Sequence, residues 1–110
     1  MREGDVVVTV TWHCTPFRGD KFEEAWRPAA AAALDYGASY WALLRSKDDP
    51  LDFQQLAAFP DKKAWDRYWY SEEISEARAE TSGLYEVPLL PVWFQAVGAG
   101  ELVEDDFATA

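Results

Sequence analysis

The one side chain in this sequence whose ordinary titration falls near neutral pH is His13, the single histidine of the 110-residue chain. At the end of a short strand it could act as a general base, for example by removing a phenolic proton before oxygen attacks a ring. It could equally be a strand-end or interface histidine bonded to a carbonyl. Tyr68 is the second candidate for proton transfer, and it lies three and one residues from Trp65 and Trp69. Aromatic side chains spaced in this way could wall a site for a flat ligand, with the phenol donating a hydrogen bond. Any helix facing a core shows the same spacing. Packing is the simpler role for Trp65, while Tyr68 and Trp69 are adjacent and cannot both point the same way. Arg78 could hold a carboxylate or an oxyanion, or pair at the surface with Glu76 or Glu80. Trp12 and Trp93, on the first and last apolar runs, complete the candidate ligand contacts.

Other reactive groups point to less. Cys14 follows His13 directly, and neighbours on a strand face opposite ways. A Cys–His nucleophile pair is therefore geometrically poor, and a buried structural thiol is expected. One His, one Cys and scattered carboxylates do not reach the spacing of a metal site. No metal or flavin signature is present, so the expected cofactor set is empty and any oxidation would draw on the substrate's own electrons.

Composition narrows the partners. Twenty acids against ten bases give a formal charge of −10. That balance opposes binding to nucleic acid, where Lys and Arg must neutralise phosphates, and to anionic lipid. The bases are interleaved with acids and form no stripe. No charged segment followed by an apolar stretch opens the sequence, and no apolar run approaches the roughly 20 residues a membrane span needs. With a single cysteine, a reducing cytoplasm is the expected location. A 49% hydrophobic share with six Trp, five Tyr and six Phe excludes a disordered chain.

The elements that must position these residues follow from periodicity and punctuation. Residues 5–13 (DVVVTVTWH) are β-branched and read as a strand, with Val6, Val8, Val10 and Trp12 on one face and Val7, Thr9, Thr11 and His13 on the other. Neither face is charged. Residues 20–36 predict a helix, with Asp20 and Glu23 at capping-box spacing, Gly37 as its stop and a kink at Pro28. Residues 39–45 and 52–59 predict an antiparallel hairpin around a polar turn. Residues 61–81 predict a helix capped by Asp61, with Ser71 as a fresh cap that could break it in two. Residues 89–97 predict a last strand, held to an edge or a bulge by Pro91, with Trp93 and Phe94 facing opposite ways.

The order strand, helix, strand, strand, helix, strand predicts a ferredoxin-like α+β domain: a four-stranded antiparallel sheet with both helices on one face. The other face would then carry Val, Thr, Trp, Leu, Phe and Ala with few polar residues. Such a patch calls for a cover, and the expected cover is the sheet of a second copy. The domain is placed at residues 1–98, with 99–110 as an acidic tail.

With this pattern the chain resembles the dimeric α/β-barrel superfamily, in its antibiotic-biosynthesis-monooxygenase-like branch, over roughly residues 5 to 97. The most similar stretch is FPDKKAWDRYWYSEEI, residues 59–74. The resemblance implies a homodimeric α/β barrel and a reactive pocket between sheet and helices. It also implies either cofactor-independent oxygenation of polyphenolic rings or haem degradation. The haem-degrading members use an Asn from the first strand and a Trp and a His from the second helix. Those columns fall here on Trp12 (or Thr11 or His13), Tyr68 and Arg78. The sequence holds no Asn and no second His. The expectation is therefore a small homodimeric, cofactor-independent monooxygenase-like protein that binds a flat aromatic molecule. His13 or Tyr68 would transfer the proton, and Trp12, Trp65, Trp69, Arg78 and Trp93 would contact the ligand. A non-catalytic dimer that binds a small molecule or serves as an assembly partner is the alternative.

Overall fold

Eight residues that favour extended backbone, Val6–His13, form the first strand, β1. In the computed structural model, which describes residues 1–102, helix α1 (Gly19–Ala31) follows and tightens into a 3₁₀ turn, Ala32–Tyr36. Strands β2 (Tyr40–Arg45) and β3 (Asp52–Phe59) form the hairpin, helices α2 (Lys62–Trp69) and α3 (Glu72–Glu80) come next, and β4 (Val92–Gln95) closes the sheet. The strand order is β2-β3-β1-β4, with every pairing antiparallel. This is the ferredoxin-like α+β arrangement. The tail expected at 99–110 lies outside the described residues from position 103 onward.

The start of α1 differs from its sequence signature. Asp20 does not cap the helix: Arg18 occupies the cap position with no side-chain bond to the backbone. Asp20 and Glu23 instead accept hydrogen bonds from the Arg45 Nη1, at 2.8 and 3.3 Å. A guanidinium brought in by β2 outbids the local backbone donors, because a charge-assisted bond is stronger than a neutral one. Gly19 makes that approach possible. A Cβ there would sit 2.5 Å from Arg45 Nη2 and 2.7 Å from the Pro50 carbonyl oxygen. Pro28 lies inside α1, which ends three residues later. The 3₁₀ turn then stops at Gly37, in the left-handed region at φ 93°.

The break between α2 and α3 falls where Ser71 predicts it. Asp61 caps α2 by accepting from the Ala64 N–H at 2.9 Å, and Ser71 caps α3 by accepting from the Ile74 N–H at 3.2 Å. Glu72 and Glu73 occupy the first turn of α3, where the helix dipole favours them. Strand β4 is shorter than the apolar run predicts, because Pro91 cannot donate to the ladder and pairing begins only at Val92.

The sheet has two unlike faces. Val8, Val10 and Trp12 of β1 and Phe53, Ala57 and Phe59 of β3 face the helices and are buried. On the outer face the register lines up Tyr40, Ala58, Val7 and Phe94 in one row, and Ala42, Leu56, Thr9 and Val92 in the next. Met1 packs against Val7, Ala58 and Ala96 at one margin. Beyond that cover, Tyr40, Leu44, Val92 and Phe94 remain 40–55% exposed. Among the described residues, no helix is long and apolar enough to cross a membrane.

Candidate functional site

Between sheet and helices the space is filled by aromatic rings. Trp12, near the C-terminal end of β1, packs against Trp26 at 4.6 Å, Phe22 at 5.0 Å and Tyr85 at 4.8 Å between ring centroids. Trp65 and Trp69 stack at 5.0 Å and 17°. Trp65 also meets Trp93 edge-on at 5.7 Å, so the aromatic layer reaches the edge strand. Lys62 lies over the Trp93 ring at 5.3 Å. Trp93 therefore faces the helices, and its neighbour Phe94, opposite Val7, faces outward.

Gln55 of β3 organises this layer. Its Oε1 accepts from the indole N–H of Trp12 at 3.1 Å and of Trp26 at 2.9 Å, and its Nε2 donates to the Tyr68 hydroxyl at 3.0 Å. Tyr68 in turn donates to the Ala29 carbonyl at 2.8 Å. No buried side-chain N or O among the described residues lacks a partner. Burial, partly offset by the Gln55 bond, pushes the Tyr68 phenol well above its ordinary value. Its hydroxyl is enclosed and engaged as both donor and acceptor.

The accessible part of the aromatic layer lies beside Trp69. The break at Ser71 lets α3 turn back, which brings the Arg78 guanidinium 4.3 Å from the Trp69 ring. Arg78 donates to the Trp69 carbonyl at 2.7 Å and to Ser75 Oγ at 3.3 Å. Neither Glu76 nor Glu80 pairs with it among the described residues. Residues 84–86 run beside the end of β1, with Thr15 N–H donating to the Leu84 carbonyl and Glu86 N–H to the His13 carbonyl. They set Tyr85 against Trp12, and the Tyr85 hydroxyl donates to the Arg78 carbonyl at 3.2 Å. Trp69, Arg78, Ser82, Tyr85, Val87 and Leu89 line a cleft of about 420 Å³. That volume falls within the range of small-ligand sites. Burial lowers the Arg78 pKa from its ordinary value, but an arginine so placed stays charged.

His13 lies elsewhere. It occupies the outer face of β1, directly opposite Asp52 of β3. Its Nδ1 and Asp52 Oδ1 are 2.5 Å apart, with the side chains 57% and 39% exposed. Thr11 and Gln54 make the next pair, Nε2 donating to the Thr11 hydroxyl at 2.7 Å. A hollow of about 310 Å³ lies over these four residues and Leu44. The structure thus brings Trp12, Trp65, Tyr68, Trp69, Trp93 and Arg78 into one layer and puts His13 on the other side of the sheet. Asp52 and Gln55 are the residues that sequence reasoning did not place. Gln55 carries a readable signal, an amide at the inward step between Phe53 and Ala57. Among the described residues, no three His, Cys, Asp or Glu side chains cluster in a way that could hold a metal ion.

Cys14, buried in the same core cluster as Trp12, is pushed up to about 11 by burial; Arg45 pulls the other way and Asp52 adds to the rise. At pH 8 its thiolate fraction should be about 100-fold below that of an ordinary thiol, and alkylation of the folded protein correspondingly slow. The buried thiol favours the fold fully below its ordinary value of 9.0, and that contribution is lost as pH rises from there through about 11. Unfolding free energy should therefore fall across this window, with part of the slope absent in Cys14→Ala. An unchanged slope, with rapid alkylation of the native protein, would show that the thiol is accessible.

No family model matches the sequence, and no curated protein matches it. Solved structures do. A candidate antibiotic biosynthesis monooxygenase from Nitrosomonas europaea superposes with a TM-score of 0.77 at 19% identity, covering 84% of this chain and 99% of that one. A second, from Caulobacter crescentus, gives 0.76 at 19% identity, with coverages of 87% and 92%. A variant of SnoaB, a cofactor-independent oxygenase from Streptomyces nogalater, gives 0.73 at 18% identity, with coverages of 87% and 96%. At these identities the likeness is one of architecture: the chain has the ferredoxin-like fold of the antibiotic-biosynthesis-monooxygenase-like proteins.

Proposed function

We propose that this chain is a cytoplasmic, homodimeric, monooxygenase-like protein that binds a flat aromatic small molecule in the cleft beside Trp69, Arg78 and Tyr85. The second copy would sit on the outer sheet face. The observation that carries the ligand reading is the accessible end of the aromatic layer, where a guanidinium and a phenol line a cleft of about 420 Å³. Trp69 offers the edge of its ring, since Trp65 stacks on the indole and Arg78 lies over it; Arg78 offers a charge, and Trp12 and Tyr68 help fix the indole from behind. In a cofactor-independent oxygenation the ring itself reduces oxygen. One oxygen atom would remain in the product as a new carbonyl, and the other would leave as water with the two hydrogens lost from the ring carbon. A cation at the ligand supports this chemistry by stabilising the substrate anion that gives up the electrons.

A non-catalytic binding role has its own support. His13 is across the sheet, and the Tyr68 hydroxyl is enclosed by Gln55 and Ala29. Neither proton-transfer candidate lines the cleft. Calorimetric titration and oxygen uptake with a panel of anthrones and hydroquinones separate the readings. Binding with one oxygen consumed per ketone formed supports the oxygenase. Binding without uptake supports the binding protein, and no binding to any member overturns the aromatic-ligand reading. Trp69→Ala should weaken binding about 3–10-fold, the value of one aromatic contact. His13→Ala should leave it unchanged.

A further inference from the structure

We infer that the ligand of the Trp69–Arg78 cleft is a monoanionic aromatic acid whose carboxylate pairs with Arg78. This rests on the reading that the cleft is the ligand site, and it names the substrate class.

Arg78 is set apart by its burial: among the described residues eight of the ten bases pair with no carboxylate, and of those eight Arg78 alone is not exposed. The protein carries twenty acids against ten bases. Arg27 and Arg45 both pair with carboxylates, at 3.0 and 2.8 Å. Arg78 has no such partner among the described residues, although Glu76 and Glu80 belong to the same helix. It is half-buried, lies on the face of Trp69 and lines the cleft. Two protein oxygens, of Trp69 and Ser75, accept from it. A guanidinium has five N–H donors in a planar fork, so donors remain for a ligand. A partly desolvated cation without a counter-ion favours an incoming anion, and the fork matches the two oxygens of a carboxylate.

The surroundings set the ligand's charge and shape. With a net charge of −10 on the protein, each further negative charge is disfavoured at long range. One guanidinium can neutralise one charge, so a monoanion fits better than a phosphate dianion. Val87, Leu89 and the ring of Tyr85 supply apolar walls for a planar body, and Ser82 adds a hydroxyl at the rim.

The test is calorimetric titration of the full-length protein with 2-naphthoate and with 2-naphthamide, equal in shape but not in charge. The acid should bind about 10–100-fold more tightly, as expected for a charge-assisted bond over a neutral one. The preference should shrink as salt rises and vanish in Arg78→Gln. Because Arg78 also braces the Trp69 carbonyl, a second variant leaves it in place: Ser82→Asp puts a carboxylate at the cleft rim and should remove the same preference. Near-UV circular dichroism checks that both variants retain the aromatic packing. Equal affinity of the two compounds for the wild type overturns the anion assignment and leaves the cleft reading intact. So does a preference that survives both variants. If neither compound binds and no Trp69 indole resonance shifts, the cleft reading falls and this inference with it.

Discussion

Gln55→Leu should lower the stability of the fold by about 3 kcal/mol, a large share of the roughly 5–15 kcal/mol typical of a domain. The substitution leaves the volume similar but removes the oxygen that accepts from both Trp12 and Trp26. Each indole N–H then stays buried without a partner, at about 1–3 kcal/mol apiece. Tyr68 loses the amide donor and keeps the Ala29 carbonyl. The added apolar contact offsets only part of this loss. In urea the midpoint should fall by about 1–3 M at unchanged slope. Gln54→Leu is the internal control. It changes the same side chain one residue away on the outer face, where the amide bonds only Thr11. Its effect should stay within about 0.5 kcal/mol, as for most surface changes. Equal losses at the two positions would mean that the buried amide does not hold the aromatic layer together.

Phe94→Asp should convert a dimer into a folded monomer. Phe94 faces outward in the row that also holds Tyr40, Ala58 and Val7. An apolar patch spanning four strands is a surface that proteins cover, and a two-fold interface presents every residue twice. The substitution therefore sets two unpaired carboxylates into one interface. Several kcal/mol of desolvation follow, and the dissociation constant should rise by at least about 1,000-fold. Sedimentation velocity at micromolar concentration reads the result, and circular dichroism checks that the monomer keeps its fold. A wild-type protein that sediments as a monomer, or a variant that stays dimeric, would remove the outer face as the interface.

Much of the architecture is readable because it depends on local pattern. The alternation in Val6–His13 separates the two faces of β1. Ser71 marks the helix break, and adjacent Trp93 and Phe94 must diverge on a strand. What escapes the sequence is set by partners distant along the chain. Asp20 and Glu23 have capping spacing, yet Arg45 claims them from 25 and 22 residues away. His13 meets Asp52 only through the β1–β3 register. The candidate site was half legible: its aromatic residues are conspicuous, but the sheet face of each, and the return of Arg78 over Trp69, depend on a turn whose geometry sequence does not specify. A filled interior was also unreadable, since the same rings could line a pocket or plug one.

The closeness of the indoles has an optical consequence. Trp12 lies 4.6 Å from Trp26 and 6.2 Å from Trp69, while Trp65 lies 5.0 Å from Trp69. At such separations, electronic excitation passes between rings faster than it is emitted. With Trp93, 5.7 Å from Trp65, the five indoles therefore act as one antenna that delivers energy to whichever ring has the lowest excited state. Trp69 and Trp93, each with a cation over its ring, differ electronically from the other three. If Trp69 is the ring with the lowest excited state, a quencher reaching it would darken the whole cluster, giving one cleft a fluorescence signal drawn from five tryptophans.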